Sequence, residues 1–395
     1  MSAPSPAGAL DGIRVLDLTS VVMGPYATQI LGDLGADVIT IESATGDTNR
    51  VMGPGPHRWM SGVSLNLLRN KRNVALNLKE PRGRDVMLRI AATCDVFVTN
   101  LRPGPLQRLG MTYDDLKTAR PDIVYCQAQG FPTDGERAND PAYDDIIQAA
   151  TGMADATRRS YGEPVLAPTI FADKVSGLTI VYGVLAALLH RERTGEGQRV
   201  EVPMVEAVES FMLVEHGAGA VLRPPMGPAG YERIITPERR PQRTLDGWIH
   251  VMPYSKESYD ALFTAGGRHD LIGDERYQHG RARIENSDFL YQQVRAILAH
   301  RTTDEWLVFC RANDIPATRV VTLEEIVEDQ PEATHPVVGT YKQVRPGARF
   351  SSTPQSVRRH APFPGEHNRE VLLEIGYTDA EVDALQAGGV LRTPR

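Results

Sequence analysis

Cysteine is scarce in this sequence, and its placement excludes the usual cysteine-based sites. The chain has 395 residues but only three cysteines, Cys94, Cys126 and Cys310, and no two of them form a CxxC pair. Each lies in an apolar stretch typical of a buried element, so we expect three reduced core residues. The pattern therefore predicts neither a disulfide framework nor a cysteine-ligated zinc site.

Long apolar runs and an excess of positive charge are also missing. The longest apolar run, Leu178 to Leu189, is too short to cross a bilayer, and the opening MSAPSPAGAL has no signal-peptide pattern. The 43 Lys and Arg residues are outnumbered by 50 Asp and Glu, giving a net charge of -7. This balance argues against a general nucleic-acid or anionic-membrane surface. We expect a cytoplasmic protein that binds no nucleic acid and no membrane.

The short motifs of hydrolases and metalloenzymes are absent as well. The ten histidines form no HExxH and pair with no cysteine at metal-ligand spacing, and no GxSxG elbow occurs. The sequence therefore predicts no metal site and no serine hydrolase.

Strand and helix patterns alternate along the first half of the chain. Ile13–Thr19 has the pattern of a buried strand, Pro25 suits a first helical position, and Ala36–Glu42 gives a second strand. The alternation continues to Asp122–Ala128. Because parallel strands need such crossovers, the pattern predicts an α/β fold with a Rossmann-like parallel sheet.

A parallel sheet of this kind suggests a nucleotide ligand at the carboxyl ends of its strands. The loop after the first strand, TSVVMGP, has one glycine where a dinucleotide fingerprint has three. An NAD-dependent dehydrogenase is therefore a distant alternative, and we interpret Glu42 as a solvated strand-end residue rather than a ribose ligand.

Composition and pattern divide the whole chain into predicted domains and linkers. Residues 1–222 are predicted to form a large domain, and the Pro- and Gly-rich stretch 223–232 a linker. Residues 233–330 show a strand and amphipathic helices, which predict a smaller α/β domain. The irregular segment 331–360 is predicted to return to the large domain, where 361–395 supply the final helices.

One carboxylate stands at a position that can favour chemistry. Asp173 directly precedes a long apolar run, which predicts the start of a helix. The unpaired N–H groups and the positive dipole end favour the anion there, so we expect Asp173 to be ionised at neutral pH. An N-cap is the simpler interpretation of this pattern alone, although capping does not exclude catalysis.

Several sequence blocks, in order, give the chain a resemblance to a known family. They include LDGIRVLDLTSVVMGPYATQILGDLGADVITIE, NKRNVALNLKEPRGRD, NLRPGPLQRLGMTYDDL, ADKVSGLTIVYGVLAALLHRERTGEGQRVEVPMVEAV, DIPATRVVTLEEI and GEHNREVLLEIGYTDAEVDAL. Across nearly its whole length the chain resembles the family III CoA transferases, which include formyl-CoA transferase and are related to α-methylacyl-CoA racemase. The resemblance implies a homodimer whose two chains interlock like rings.

The resemblance also implies roles for individual residues. Asp173 would be the nucleophile, forming an acyl anhydride and then an aspartyl-CoA thioester; acyl-CoA and a carboxylic acid are the implied substrates, with no tightly bound cofactor. Met23 and Tyr143 would line the substrate pocket. The implied CoA-binding residues are Val21, Val22, Lys71, Arg72, Asn100, Leu101, Arg102 and Arg108. We expect the basic ones in loops beside strands, where they suit CoA phosphates, although each also fits a solvated surface charge.

The sequence departs from the family pattern at several points. Val22 stands where formyl-CoA transferase has a glutamine, which argues against oxalate, and Ser43 replaces a CoA-binding arginine. The stretch YERIITPERRPQRT lacks the glycine-rich lid loop. Tyr143 replaces the racemase histidine, and because a tyrosine with a pKa of about 10 is a weak base at pH 7, transfer is favoured over racemisation. A racemase and an idle CoA-binding homologue are the alternatives.

Overall fold

The computed structural model describes residues 8–43 and 45–392, and a six-stranded parallel sheet forms the centre of its larger part. The strands are β1 (Arg14–Leu18), β2 (Asp37–Glu42), β3 (Lys71–Ala75), β4 (Val96–Thr99), β5 (Val124–Gln129) and β6 (Arg199–Pro203). Every neighbouring pair is parallel, in the order β3-β2-β1-β4-β5-β6. The predicted α/β fold is confirmed.

This strand order creates a switch point between β1 and β4. The chain moves away from this pair of strands in opposite directions, so the loops that come after them diverge. In open parallel sheets, such a divergence leaves a crevice at the carboxyl ends of the strands. The fold therefore provides a place for a ligand beside β1 and β4.

Helices alternate with these strands along the chain. They are α1 (Met23–Asp33), α2 (Gly62–Leu67), α3 (Pro81–Ala91), α4 (Pro103–Leu109), α5 (Tyr113–Ala119), α6 (Asp144–Ala150), α7 (Met153–Tyr161), α8 (Phe171–Thr194) and α9 (Met204–His216). The first turn of α1 and the second turn of α8 lie very close, since a Cβ at Gly177 would be 2.9 Å from the Met23 carbonyl oxygen. Only a glycine allows this approach.

Helix α8 is longer than the apolar run considered in the sequence, because it begins at Phe171 and ends at Thr194. Among the described residues it is the one helix long and apolar enough to cross a membrane. Half of its apolar window is buried inside the protein.

The chain divides into two compact units. The larger comprises Met1–Thr151, Ala167–Phe211 and Gln330–Arg395, and the smaller comprises Gly152–Leu166 and Met212–Asp329. The domain boundaries expected from composition stay predictions.

The smaller unit has its own sheet and core. Its antiparallel strands are β7 (Gln242–Arg243), β8 (Trp248–Val251) and β9 (Ala317–Arg319). Its further helices are α10 (Lys256–Ala265), α11 (Gly280–Glu285), α12 (Ser287–Leu298), α13 (Thr303–Ala312) and α14 (Leu323–Glu328). Phe263, Trp306 and Cys310 belong to its buried apolar cluster.

The last part of the chain completes the larger unit. The segment expected to be irregular contains an antiparallel hairpin of β10 (Glu332–His335) and β11 (Gly339–Lys342). Helices α15 (Asn368–Glu374) and α16 (Asp379–Ala387) come next and contribute Val371 and Val382 to the apolar core around Leu16. All three cysteines are buried and unpaired, as predicted.

Candidate active site

A cleft of about 230 Å³ lies in the larger unit at the switch point of the sheet. The loops after β1, β4 and β5 form its walls together with the segment 140–143 and the start of α8. Seven residues predicted from the sequence meet here, namely Val21, Met23, Asn100, Leu101, Arg102, Tyr143 and Asp173. The crevice expected from the strand order is therefore present.

Asp173 lies inside the first turn of α8 rather than ahead of the helix. The helix begins at Phe171, and its N-cap is Ile170, which makes no side-chain capping bond. The predicted helix start was therefore wrong, and Asp173 is not an N-cap. The earlier start is stabilised by the Phe171 ring, which packs edge-on against Phe211 with 5.5 Å between ring centroids.

The surroundings of Asp173 make its carboxylate more basic than an ordinary aspartate. The residue is 7% exposed. Burial, and then the negative charge of Asp144, raise its pKa from 3.8 to about 6, against a lowering hydrogen bond from the Met23 backbone N–H. The expected preference of the helix start for the anion is thus outweighed by desolvation. Asp173 is still mostly ionised at pH 7.

Asp144 is a site residue that the sequence interpretation missed. One of its carboxylate oxygens accepts a hydrogen bond from the Asp173 backbone N–H at 3.0 Å, and the other accepts from the Gln148 side chain at 2.6 Å. Gln148 also accepts from the Ala167 N–H at 2.9 Å. These hydrogen bonds connect α6 to the first turn of α8 and to the segment before it. The sequence signal for Asp144 was the acidic pair directly after Tyr143.

The loop after β1 is held in an uncommon backbone conformation. Val21 has a φ of 68°, which is rare for a β-branched residue, and its N–H donates to Asp47 at 3.1 Å. The Ser20 N–H donates to the Asn100 side chain at 2.9 Å, which links this loop to the end of β4. Val22 is buried and does not line the cleft.

Lys71 and Arg72 lie away from the cleft. Both were expected in a loop, but they lie in β3, and that prediction was wrong. The Lys71 Nζ atom is 3.0 Å from the Asp17 carboxylate and 2.7 Å from the Thr28 hydroxyl. Arg72 forms ion pairs with Asp37, Glu370 and Glu374. Both cations are already paired with carboxylates inside the larger unit, so neither is placed to bind a CoA phosphate.

Arg102 and Arg108 belong to α4, beside the cleft. Arg102 is the N-cap residue of the helix and donates to the Asn139 carbonyl, and Arg108 is exposed in the last turn. Within residues 8–43 and 45–392, neither forms an ion pair with a carboxylate. Tyr143 lines the cleft with a side chain that is 68% exposed. These three side chains are accessible to a ligand.

A larger cavity of about 620 Å³ lies at the carboxyl ends of β1, β2 and β3. Ser20 and Leu101 line both this cavity and the cleft. Lys79 and Arg392 supply cations to its wall, which also includes Ser43. The sequence interpretation missed both cations, because an isolated basic residue in a turn carries no local signal.

In the described part of the chain, no group of three His, Cys, Asp or Glu side chains could hold a metal ion.

Comparison with known proteins identifies relatives over most of the chain. The family model described as CoA-transferase family III matches residues 10–368. Succinyl-CoA:glutarate CoA-transferase of Mus musculus is 30% identical, covering 97% of this chain and 90% of that protein. Formyl-CoA:oxalate CoA-transferase of Streptomyces avermitilis is 32% identical, covering 97% and 99%. The crystal structure of Rv3272 from M. tuberculosis matches with a TM-score of 0.78 at 31% identity, covering 92% and 99%.

Proposed function

Because the chain belongs to CoA-transferase family III, we propose that it moves CoA from an acyl-CoA donor to a free carboxylate through covalent intermediates on Asp173. One observation carries this proposal. A buried carboxylate with a pKa of about 6 stands in a cleft at the switch point of the sheet. Such a group is anionic at neutral pH and is a better nucleophile than an ordinary aspartate.

The first half of the reaction transfers CoA to the protein. An oxygen of Asp173 attacks the thioester carbonyl carbon of the donor, the C–S bond breaks, and CoA leaves as its thiolate. The product is an anhydride between the acyl group and Asp173. The thiolate then attacks the aspartyl carbonyl, and the donor acid leaves as a carboxylate. Asp173 is left as a CoA thioester.

The second half repeats these steps with the acceptor. The acceptor carboxylate attacks the aspartyl thioester and expels the thiolate, which gives a second anhydride. The thiolate attacks the acceptor's acyl carbon, forms the new acyl-CoA and restores the Asp173 carboxylate. Each step exchanges one anionic nucleophile for one anionic leaving group. The exchange therefore needs no net proton transfer and conserves the thioester energy.

For the carrier, we propose that the nucleotide part of CoA occupies the larger cavity. Lys79 and Arg392 offer cations for its phosphates, while Ser20 and Leu101 link that cavity to the cleft of Asp173. Arg108 adds an exposed cation on α4.

Two further proposals concern the whole protein. We propose an interlocked homodimer, which light scattering after size-exclusion chromatography would detect as twice the chain mass. We also propose a cytoplasmic location, and fractionation of the source cells tests it. A monomeric mass or a membrane-bound fraction would contradict the respective proposal.

The function is tested by pairing a panel of acyl-CoA donors with carboxylic acids and monitoring the CoA esters by mass spectrometry. We expect exchange, and a quench during turnover should reveal a CoA-sized adduct on the peptide that contains Asp173. A second arm uses a chiral 2-methylacyl-CoA in heavy water without acceptor. Rapid deuteration at the α-carbon with neither adduct nor exchange would indicate a racemase, whereas CoA binding alone would indicate an idle homologue.

A further inference from the structure

A cavity of about 170 Å³ in the smaller unit has a basic and aromatic lining. Its polar side chains come from two arginines, three tyrosines and one serine, namely Arg233, Arg283, Tyr254, Tyr259, Tyr291 and Ser287. The lining contains no aspartate or glutamate among the described residues. The cavity therefore combines positive charge with hydrogen-bond donors and lacks an anion of its own.

Neither arginine is paired with a carboxylate in the described part of the chain. Arg283 donates to the Tyr277 carbonyl oxygen at 2.8 Å, and Arg233 donates to the Met252 sulfur at 3.2 Å. On the same helix as Arg283, Arg281 shows the usual arrangement, because it pairs with Glu285 at 2.7 Å. Two uncompensated guanidinium groups in one cavity favour an anionic ligand.

The tyrosines extend this set of donors. The Arg233 guanidinium lies 5.0 Å from the centre of the Tyr254 ring and donates to the Met252 sulfur at 3.2 Å. The Tyr291 hydroxyl donates to the same sulfur at 4.0 Å, and a phenol hydroxyl at the cavity wall can donate to an anion. Tyr259 and Tyr291 are each 4% exposed, whereas Tyr254 is 55% exposed. Tyr254 is therefore the hydroxyl that a ligand from solvent meets first.

The remaining walls distinguish between kinds of anion. Met252, Pro253 and Ile284 are apolar and suit a short hydrocarbon chain, which sulfate and inorganic phosphate lack. A carboxylate matches the planar guanidinium groups and accepts several hydrogen bonds at once. The volume of about 170 Å³ is small compared with sites for drug-sized ligands, so the ligand must be small.

We propose that this cavity is a binding site for the carboxylate of a short organic acid. The bound anion supplies the countercharge that Arg233 and Arg283 lack, and the hydroxyl of Tyr254 donates to it from the solvent side. The proposal concerns binding by the smaller unit, and it does not depend on covalent chemistry at Asp173.

Isothermal titration calorimetry with succinate as the probe tests this site on the full chain. Wild type and Asp173→Asn should bind succinate equally well, because Asp173 belongs to the other unit. Arg233→Gln and Arg283→Gln should each weaken binding at least about tenfold, since each removes one of two countercharges. Arg281→Gln is the matched control on α11; this side chain is 83% exposed and already paired, so its loss should leave binding unchanged.

A milder variant keeps the test valid if an arginine variant fails to fold. Tyr254→Phe retains the exposed ring and removes only the hydroxyl, so succinate binding should weaken about threefold in a fully folded protein. Unchanged binding in both arginine variants, no binding by wild type at about 10 mM succinate, or equal affinity for sulfate would each overturn the proposal. Loss of binding in Asp173→Asn with retention in Arg283→Gln would assign the acid to the cleft instead.

Discussion

Two buried aspartates of the larger unit, Asp17 in β1 and Asp173 in α8, have opposite electrostatic surroundings. The Asp17 carboxylate lies 3.0 Å from the Lys71 ammonium and accepts hydrogen bonds from the hydroxyls of Thr19, Thr28 and Thr40. Asp173 has no cationic partner among the described residues, and its charged neighbour is the carboxylate of Asp144. The negative charge of Asp17 is therefore balanced by a cation, whereas the negative charge of Asp173 is not.

The pKa values of the two carboxyls move in opposite directions for this reason. Burial raises both, but the charge of Lys71 and the hydroxyl hydrogen bonds outweigh burial at Asp17 and hold its pKa below the ordinary value. At Asp173 burial and Asp144 act together, and the pKa rises to about 6. A compensated carboxylate stabilises the sheet, whereas an undercompensated one retains the basicity that a nucleophile needs.

The largest expected effect comes from removing the undercompensated carboxylate. Asp173→Asn keeps the shape of the side chain but not its nucleophilic oxygen, so CoA exchange should fall at least about a thousandfold. Steady-state exchange assays measure this, with CoA affinity as the control that the carrier site is intact. Near-normal turnover would remove Asp173 from the mechanism.

Breaking the ion pair of Asp17 and Lys71 should lower the stability of the fold. Lys71→Met leaves the Asp17 charge buried without its partner and should lower the free energy of unfolding by about 3–5 kcal/mol. Urea denaturation measures the loss. Lys117→Met, at an exposed position of α5, is the control and should change stability by less than about 0.5 kcal/mol. Equal effects of the two variants would contradict the structural role of the pair.

Asp173→Asn should also stabilise the fold at neutral pH, unlike a substitution at Asp17. Because the folded pKa of about 6 exceeds the ordinary 3.8, ionisation costs the folded state up to about 3 kcal/mol. The contribution of Asp173 to stability is fully present below pH 4 and is lost as the pH rises through 6. In urea unfolding at pH 8, the variant should therefore have the larger free energy of unfolding. The difference between the variant and wild type should vanish near pH 4. A variant less stable than wild type at pH 8 would contradict the raised pKa.

The smallest effect concerns the pH dependence of exchange. Protonated Asp173 cannot attack, so kcat/KM should fall as the pH drops through about 6. Asp144→Asn removes the neighbouring charge and should move this acid limb to lower pH, by about one pH unit or less. Asp145→Asn, at the adjacent exposed position, should leave the limb in place. An identical shift in both variants would indicate a general charge effect.

The comparison also explains what the sequence could and could not predict. Alternating strand and helix patterns predict the parallel sheet because burial on both faces leaves a local signal. The local pattern around Lys71 suggests a loop. It does not reveal the ion pair of Lys71 with Asp17, because Asp17 lies 54 positions away in the sequence. Asp144 escapes notice for the same reason, since its bond to Asp173 joins α6 to α8 across 29 positions. Local patterns predict elements, whereas charge compensation depends on contacts between distant segments.

Gly177 has a practical consequence for anyone who wishes to change the acyl specificity of this protein by directed evolution. Any side chain there would press on the Met23 carbonyl at 2.9 Å and the Tyr26 ring at 3.0 Å, and would push away the turn whose N–H binds Asp173. A randomised library should therefore hold Gly177 constant and place its diversity at Tyr143. That side chain is 68% exposed and lines the cleft of Asp173, so its replacement should leave Asp173 in place.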